Sequence, residues 1–110
     1  MIHVIITEDN TTIGEGLALL INASVGMECT AQYSNCEDML RDINKYRADI
    51  YLQDIGLTGM SGIEGVKHLI EKEPGATILM LTAYEDEENV FEALKAGASG
   101  YLLKKRLQLS

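Results

Sequence analysis

At 110 residues and 12.1 kDa the chain has the size of one small domain, which buries roughly two-thirds of its unfolded surface around a single core. Hydrophobic residues at 46% and charged residues at 24% are ordinary globular values, and they exclude a disordered tail or a collagen-like repeat. With 9 basic against 17 acidic side chains the net charge is −8, so the chain repels nucleic acid and anionic lipid and is not expected to bind DNA directly.

The segments alternate in character along the chain. Ile2-His3-Val4-Ile5-Ile6 is short and β-branched and runs into acidic Glu8-Asp9. Ile13, Leu17, Leu20 and Ile21 then repeat at helical spacing as far as Gly26. Glu28 to Tyr33 alternates polar with less polar residues, which suits a strand at a sheet edge. Asn35 is the expected N-cap of a second helix carrying Met39, Leu40, Ile43 and Tyr46, with Glu37 and Asp38 in its first turn. Ile50-Tyr51-Leu52 is a buried strand ending at Asp54. Beyond a glycine-rich loop, Ile63, Val66, Leu69 and Ile70 predict a third helix that must stop by Pro74. Thr77 to Thr82 is the most continuous strand. Val90, Leu94 and Ala98 predict a fourth helix, and Gly100 to Leu103 a fifth strand.

Strands that are apolar on both faces and separated by helices imply an α/β fold, a parallel sheet with helices on both sides. Ligands of such sheets bind outside the carboxyl ends of the strands, where the strand order reverses. That rule selects Glu8 and Asp9 after the first strand, Asp54 after the third, Thr82 after the fourth and Lys104 after the fifth. Three carboxylates in one crevice repel each other unless a cation intervenes, and an all-oxygen set favours Mg²⁺. A carboxylate beside a cation, with an ammonium and a hydroxyl opposite, is equipped to attack phosphorus and form an aspartyl phosphate.

Four stretches, Ile5 to Asp9, Asp49 to Gly62, Met80 to Ala83 and Gly97 to Lys104, together resemble the response-regulator receiver domain of two-component signalling. The wording of Asp54 to Glu64 and of Gly100 to Lys104 is most similar to receivers joined to a helix-turn-helix DNA-binding output domain. The resemblance implies a flavodoxin-like, doubly wound five-stranded sheet of order 2-1-3-4-5, a phosphorylation-activated switch that is not an enzyme in the usual sense, and a sensor histidine kinase as partner. Asp54 becomes the phosphoacceptor. Glu8, Asp9, Asp54 and the Gly56 backbone carbonyl become the Mg²⁺ ligands, and Lys104 bridges the acidic cluster. Thr82, Ala83 and Tyr101 become the switch, with Tyr101 also counted as partly core. Gly56 and Tyr84 flank the path of a hydrolytic water and are expected to set the lifetime of the phosphorylated state.

The chain departs from the family at three places: Thr58 and Lys105 stand where proline is usual, and Glu8 where aspartate is more frequent. A non-proline cis bond costs ~2.5–4 kcal/mol, so a trans bond is expected after Lys104. Residues 1–110 read as one receiver domain cut short, since Lys105 to Ser110 are too few for a fifth helix. An uncovered apolar face beside the first helix, and self-association through it, are expected in consequence.

Other readings compete with this one. Glu8-Asp9 could merely cap the first helix, and Glu85 to Glu88 could be a charge cluster opening the fourth. Gly14-Glu15-Gly16 hints at a dinucleotide fingerprint but lacks the third glycine, and these glycines can equally serve close packing. An aspartate-based phosphatase would want an acid two residues after its nucleophile, where Gly56 stands. A degenerate receiver used only for docking is opposed by the intact set of Asp9, Asp54, Thr82 and Lys104. No apolar run approaches the ~20 residues needed to span a bilayer, and no signal peptide opens the chain, so a cytoplasmic protein without a membrane partner is expected. Cys29 and Cys36 show no metal-ligand spacing and read as reduced thiols.

Overall fold

Strands and helices alternate in the computed structural model, which describes residues 1–57, 59–83 and 87–104, with Glu87 described through its backbone only. The order is β1 (Ile2–Thr7), α1 (Thr11–Ala23), β2 (Met27–Tyr33), α2 (Cys36–Arg41), β3 (Ile50–Asp54), α3 (Gly62–Lys72), β4 (Thr77–Thr82), α4 (Glu87–Ala96) and β5 (Gly100–Leu103). The strands form one five-stranded sheet in the order β2-β1-β3-β4-β5, every neighbouring pair parallel. The chain therefore winds outward from β1 in both directions, and the crevice of the doubly wound fold lies at the carboxyl ends of β1 and β3.

Short polar side chains start three of the helices. Asn10 Oδ1 accepts the Ile13 N–H at 3.1 Å, Asn35 Oδ1 the Asp38 N–H at 2.8 Å, and Ser61 Oγ the Glu64 N–H at 3.1 Å. Asn10 is thus the cap of α1, which leaves Glu8 and Asp9 outside that role. The helix α2 is shorter than its apolar spacing predicts, because Asp42 ends it and accepts the Tyr33 hydroxyl at 3.1 Å. Ile43 still reaches the core from the following turn, whereas Tyr46 is exposed. At the other end of the chain α4 stops at Ala96. Gly97, at φ +125°, lets the Ala98 N–H reach back to Ala93 O at 3.0 Å and its own N–H to Leu94 O at 3.1 Å.

The helices are divided unequally between the faces. Met39 and Leu40 of α2, Val66 and Leu69 of α3 and Ala93 of α4 pack on Ile5, Tyr51, Ile78 and Met80. On the opposite face, Leu17, Ala18 and Ile21 of α1 pack on Val4, Ile6, Leu52 and Leu81, and α1 is the one helix there among the described residues. Leu20 and Leu94, which carry the helical spacing of α1 and α4, are both exposed. Beside α1 the sheet carries an apolar groove of about 240 Å³, lined by Leu17, Leu20, Ile50, Leu52, Leu79 and Leu102 among others. Four helices are present among the described residues, while the expectation of a missing fifth helix concerns residues 105–110, outside them. No helix among the described residues is long and apolar enough to cross a membrane.

Candidate functional site

The ends of four strands meet at the crevice, β1 contributing two groups and β3, β4 and β5 one each. Glu8 follows β1, its own N–H donating to Tyr33 O of the edge strand at 2.9 Å, and its Oε2 accepts the Asn10 N–H at 3.0 Å. Asp54 closes β3, and its Oδ1 accepts the Gly56 N–H at 3.2 Å. Carboxylate oxygens of Glu8, Asp9 and Asp54 all lie within 4.8 Å of one another; Glu8 and Asp54 are buried and Asp9 is exposed. Lys104 follows β5 directly and reaches across, with Nζ 2.6 Å from Glu8 Oε1 and 3.3 Å from Asp54 Oδ2. Thr82 ends β4 beside Leu103 and is buried.

Among the described residues, the Lys104 ammonium is shared by Glu8 and Asp54, with the Asp9 carboxylate beside them. Burial pushes the Glu8 carboxyl up to about 7, aided by its hydrogen bond with Asp9 and the charge of Asp54, against the opposing pull of Lys104 and the Asn10 amide. Burial works to lower Lys104, yet the two carboxylates win and hold its ammonium above the usual lysine range. The crevice carries more negative charge than its own cation balances. Its side-chain donors are all carboxylate oxygens, and these suit a hard divalent ion rather than a soft one. The Cys36 thiol is turned to another partner, Ser61 O at 3.9 Å.

The residues singled out from the sequence divide clearly. Glu8, Asp9, Asp54 and Lys104 converge, and Gly56 stands beside Asp54. Ala83 is exposed. Tyr101 is 46% exposed, so its expected partial place in the core is not found. Tyr84, Thr58 and Lys105, and with them the bond after Lys104, lie outside the described residues, as do Glu85 and Asp86 of the acidic run. Gly14 and Gly16 sit inside α1 and not in a phosphate-cradling turn, which removes the dinucleotide fingerprint. A Cβ at Gly14 would meet Gln32 Oε1 at 3.6 Å, an ordinary contact, so the expected close packing is not found there either. Two neighbours of the site were missed. Gln53 is a fully buried amide, signalled by one polar letter inside an apolar strand. Glu37 reaches from α2 to accept the Met60 N–H at 3.2 Å, and nothing local in the sequence announces that contact.

A doubly wound parallel sheet whose central strands end in clustered carboxylates, tied by an ammonium from the edge strand, defines a class of α/β domains with an acidic crevice. A family model described as the response regulator receiver domain matches residues 4–108, and the chain belongs to that family. It is 38% identical over 104 residues to the transcriptional regulatory protein LnrK of Bacillus subtilis (strain 168), a match covering 94% of this chain and 47% of that protein. To the transcriptional regulatory protein DegU of Brevibacillus brevis it is 33% identical over 104 residues, covering 94% and 44%. Among solved structures, a two-component response regulator of the LuxR family from Aurantimonas sp. SI85-9A1 superposes with a TM-score of 0.87 at 28% identity, covering 93% of this chain and 73% of that one. The chain spans about half the length of the curated relatives it matches. Those relatives are transcriptional regulators, and the expected receiver fold with its 2-1-3-4-5 strand order is borne out.

Proposed function

We propose that the chain is the phosphorylation switch of a two-component regulator, with Asp54 as acceptor. The observation that carries this reading is the Lys104 ammonium, shared between Glu8 Oε1 at 2.6 Å and Asp54 Oδ2 at 3.3 Å. In the reaction an Asp54 carboxylate oxygen forms a new P–O bond while the P–N bond to the donor's imidazole breaks, and the imidazole leaves with the electron pair. Lys104, whose ammonium already lies 3.3 Å from Asp54 Oδ2, pairs with the phosphoryl oxygens once Asp54 is esterified. Mg²⁺ held by Glu8, Asp9, Asp54 and the Gly56 carbonyl would supply neutralisation of the transferring charge. The sheltered position of Asp54 limits water at the new acyl phosphate, and Gly56 and Tyr84 then set how fast it hydrolyses.

Downstream, the Thr82 hydroxyl turns toward the phosphoryl group, and Tyr101 swings inward past Ala83, changing the surface of α4 and β5. The exposed position of Tyr101 supports that motion, since such a ring has somewhere to go. The donor is a sensor histidine kinase in the cytoplasm, and the listener is a DNA-binding output domain in the longer regulator. Copies of the chain associate through the apolar groove beside α1. The deciding experiment is incubation with acetyl phosphate and Mg²⁺ followed by intact-mass measurement. One added phosphoryl group is expected, dependent on Mg²⁺ and lost in Asp54→Ala. Full labelling of that variant sinks the assignment, and an inert wild type leaves only a docking module.

A further inference from the structure

Gln53 precedes Asp54 on β3 and is 1% exposed. Alternation along the strand puts it on the face covered by α2 and α3, where its Nε2 donates to Gly62 O at 2.7 Å. Its Oε1 is buried with no hydrogen-bond partner among the described residues. A carboxamide half paired in a dry interior is a poor choice for stability alone, because an apolar side chain of the same volume would leave nothing unsatisfied. Something other than stability favours it here.

The neighbouring glycines show what the amide holds. A Cβ at Gly65 would lie 2.7 Å from Gln53 Nε2 and 2.5 Å from Cys36 Sγ, and one at Gly62 would strike the Asp54 carbonyl oxygen. The start of α3 is thus pressed against the β3 backbone at Gly62 and against the Gln53 amide and Cys36 thiol at Gly65. Gly62 is gripped twice, its N–H donating to Ile55 O at 3.2 Å and its carbonyl accepting from Gln53. Those two bonds close the loop that leaves β3 at Asp54 and carries Gly56.

We propose that Gln53 is a positioning residue for the cation site, fixing through Gly62 the loop on which the Gly56 carbonyl is offered beside Asp54. This rests on the phosphoacceptor reading above. Asp54 and Gly56 are separated by one residue, so a shift of the loop moves one oxygen against the other, and a cation that demands near-ideal octahedral geometry is sensitive to such a shift. Gln53 itself touches neither the cation nor the phosphoryl group.

The test is Gln53→Met, which keeps the volume and removes both the donor and the orphaned oxygen. Three readouts are compared with wild type: the Mg²⁺ dissociation constant by calorimetry, the amide exchange of residues 55–62, and the metal-free melting temperature. Mg²⁺ binding should weaken about tenfold, equivalent to about 1.4 kcal/mol and close to one lost hydrogen bond. Amide exchange in the loop should quicken, while the metal-free melting temperature stays level or rises. Only that pairing supports the proposal; unchanged Mg²⁺ affinity, or a melting temperature that falls, overturns it. Should Gln53→Met fail to fold, Gln53→Leu is held to the same criterion. A wild-type chain that neither binds Mg²⁺ nor takes label refutes the functional reading and this inference with it. A wild type that does both, beside a variant that matches it, refutes this inference alone.

Discussion

Gly62→Ala puts the tight contact of α3 with the β3 backbone under direct strain. The added methyl group would collide with the Asp54 carbonyl oxygen and lie 2.8 Å from Ile55 Cα and 2.9 Å from Asp54 C, all of them backbone atoms that no rotamer change can move aside. Relief requires the first turn of α3 to retreat, which stretches the Gln53 Nε2 bond from 2.7 Å and the bond from the Gly62 N–H to Ile55 O from 3.2 Å. Two hydrogen bonds at ~1 kcal/mol each and overpacking at ~1–3 kcal/mol oppose the ~1 kcal/mol that alanine gains over glycine in a helix. A net loss of about 2–4 kcal/mol remains, or a melting temperature lower by roughly 10 °C. Gly75→Ala is the matched control: nothing lies within 4 Å of its Cβ, so the substitution should be neutral or slightly stabilising. Thermal melts of the two variants beside wild type are sufficient. A Gly62→Ala protein as stable as Gly75→Ala would show that α3 can back away from β3 freely, and the argument for a tightly gripped loop would fall with it.

Replacing Lys104 with Met leaves buried Glu8 and Asp54 facing each other without their cation, and the metal-free protein should lose ~2–3 kcal/mol, somewhat less than a fully buried pair because the ammonium is partly solvated; equal urea midpoints for variant and wild type in EDTA would contradict this. Alkaline pH gives a second handle, since burial first, and then the charges of Glu37, Asp54 and Glu64, push the Cys36 thiol up to about 12 from 9.0. The folded state holds that proton more tightly than the unfolded chain, so its contribution is complete below pH 9 and is lost as pH rises toward 12, by about 1.4 kcal/mol per unit. Cys36→Ala should flatten the decline of the urea midpoint between pH 9 and 11, and an unaltered slope would refute the assignment. For the apolar groove, Leu102→Glu should shift light scattering at high concentration toward the monomer; a wild type that stays monomeric throughout a dilution series removes the proposed association.

Legibility in the sequence followed how local each cause is. The strands were readable because a buried parallel strand is a short apolar run wherever it occurs, and Asn35 announced its helix because a cap acts within three residues. The four charged residues that converge were found by asking only which polar letters end a strand. Other features depend on partners distant in sequence. The spacing of Ile43 and Tyr46 continued a helix that ends at Asp42, whose side chain accepts the hydroxyl of Tyr33 from distant β2. Leu20 and Leu94 carried the period of a buried face, yet whether a face is buried depends on what lies opposite. The partner of Gln53 is a backbone carbonyl, and a carbonyl leaves no mark in the amino-acid letters.

The reach of Lys104 across the sheet has a mechanical consequence. β1 and β3 are each flanked on both sides, whereas β5 is a strand of four residues with a single neighbour, β4. The ammonium at its far end is moored to Asp54, two strands away, and to Glu8, three strands away, so this short strand hangs partly on an electrostatic tether. Altering the charge on Asp54 changes the pull on that tether before any packing has to rearrange. The load arrives at the rim of the sheet, where the Tyr101 ring stands exposed within the same short strand. A change of charge at the middle of the domain would in this way reach its outer margin through a side chain no longer than one lysine.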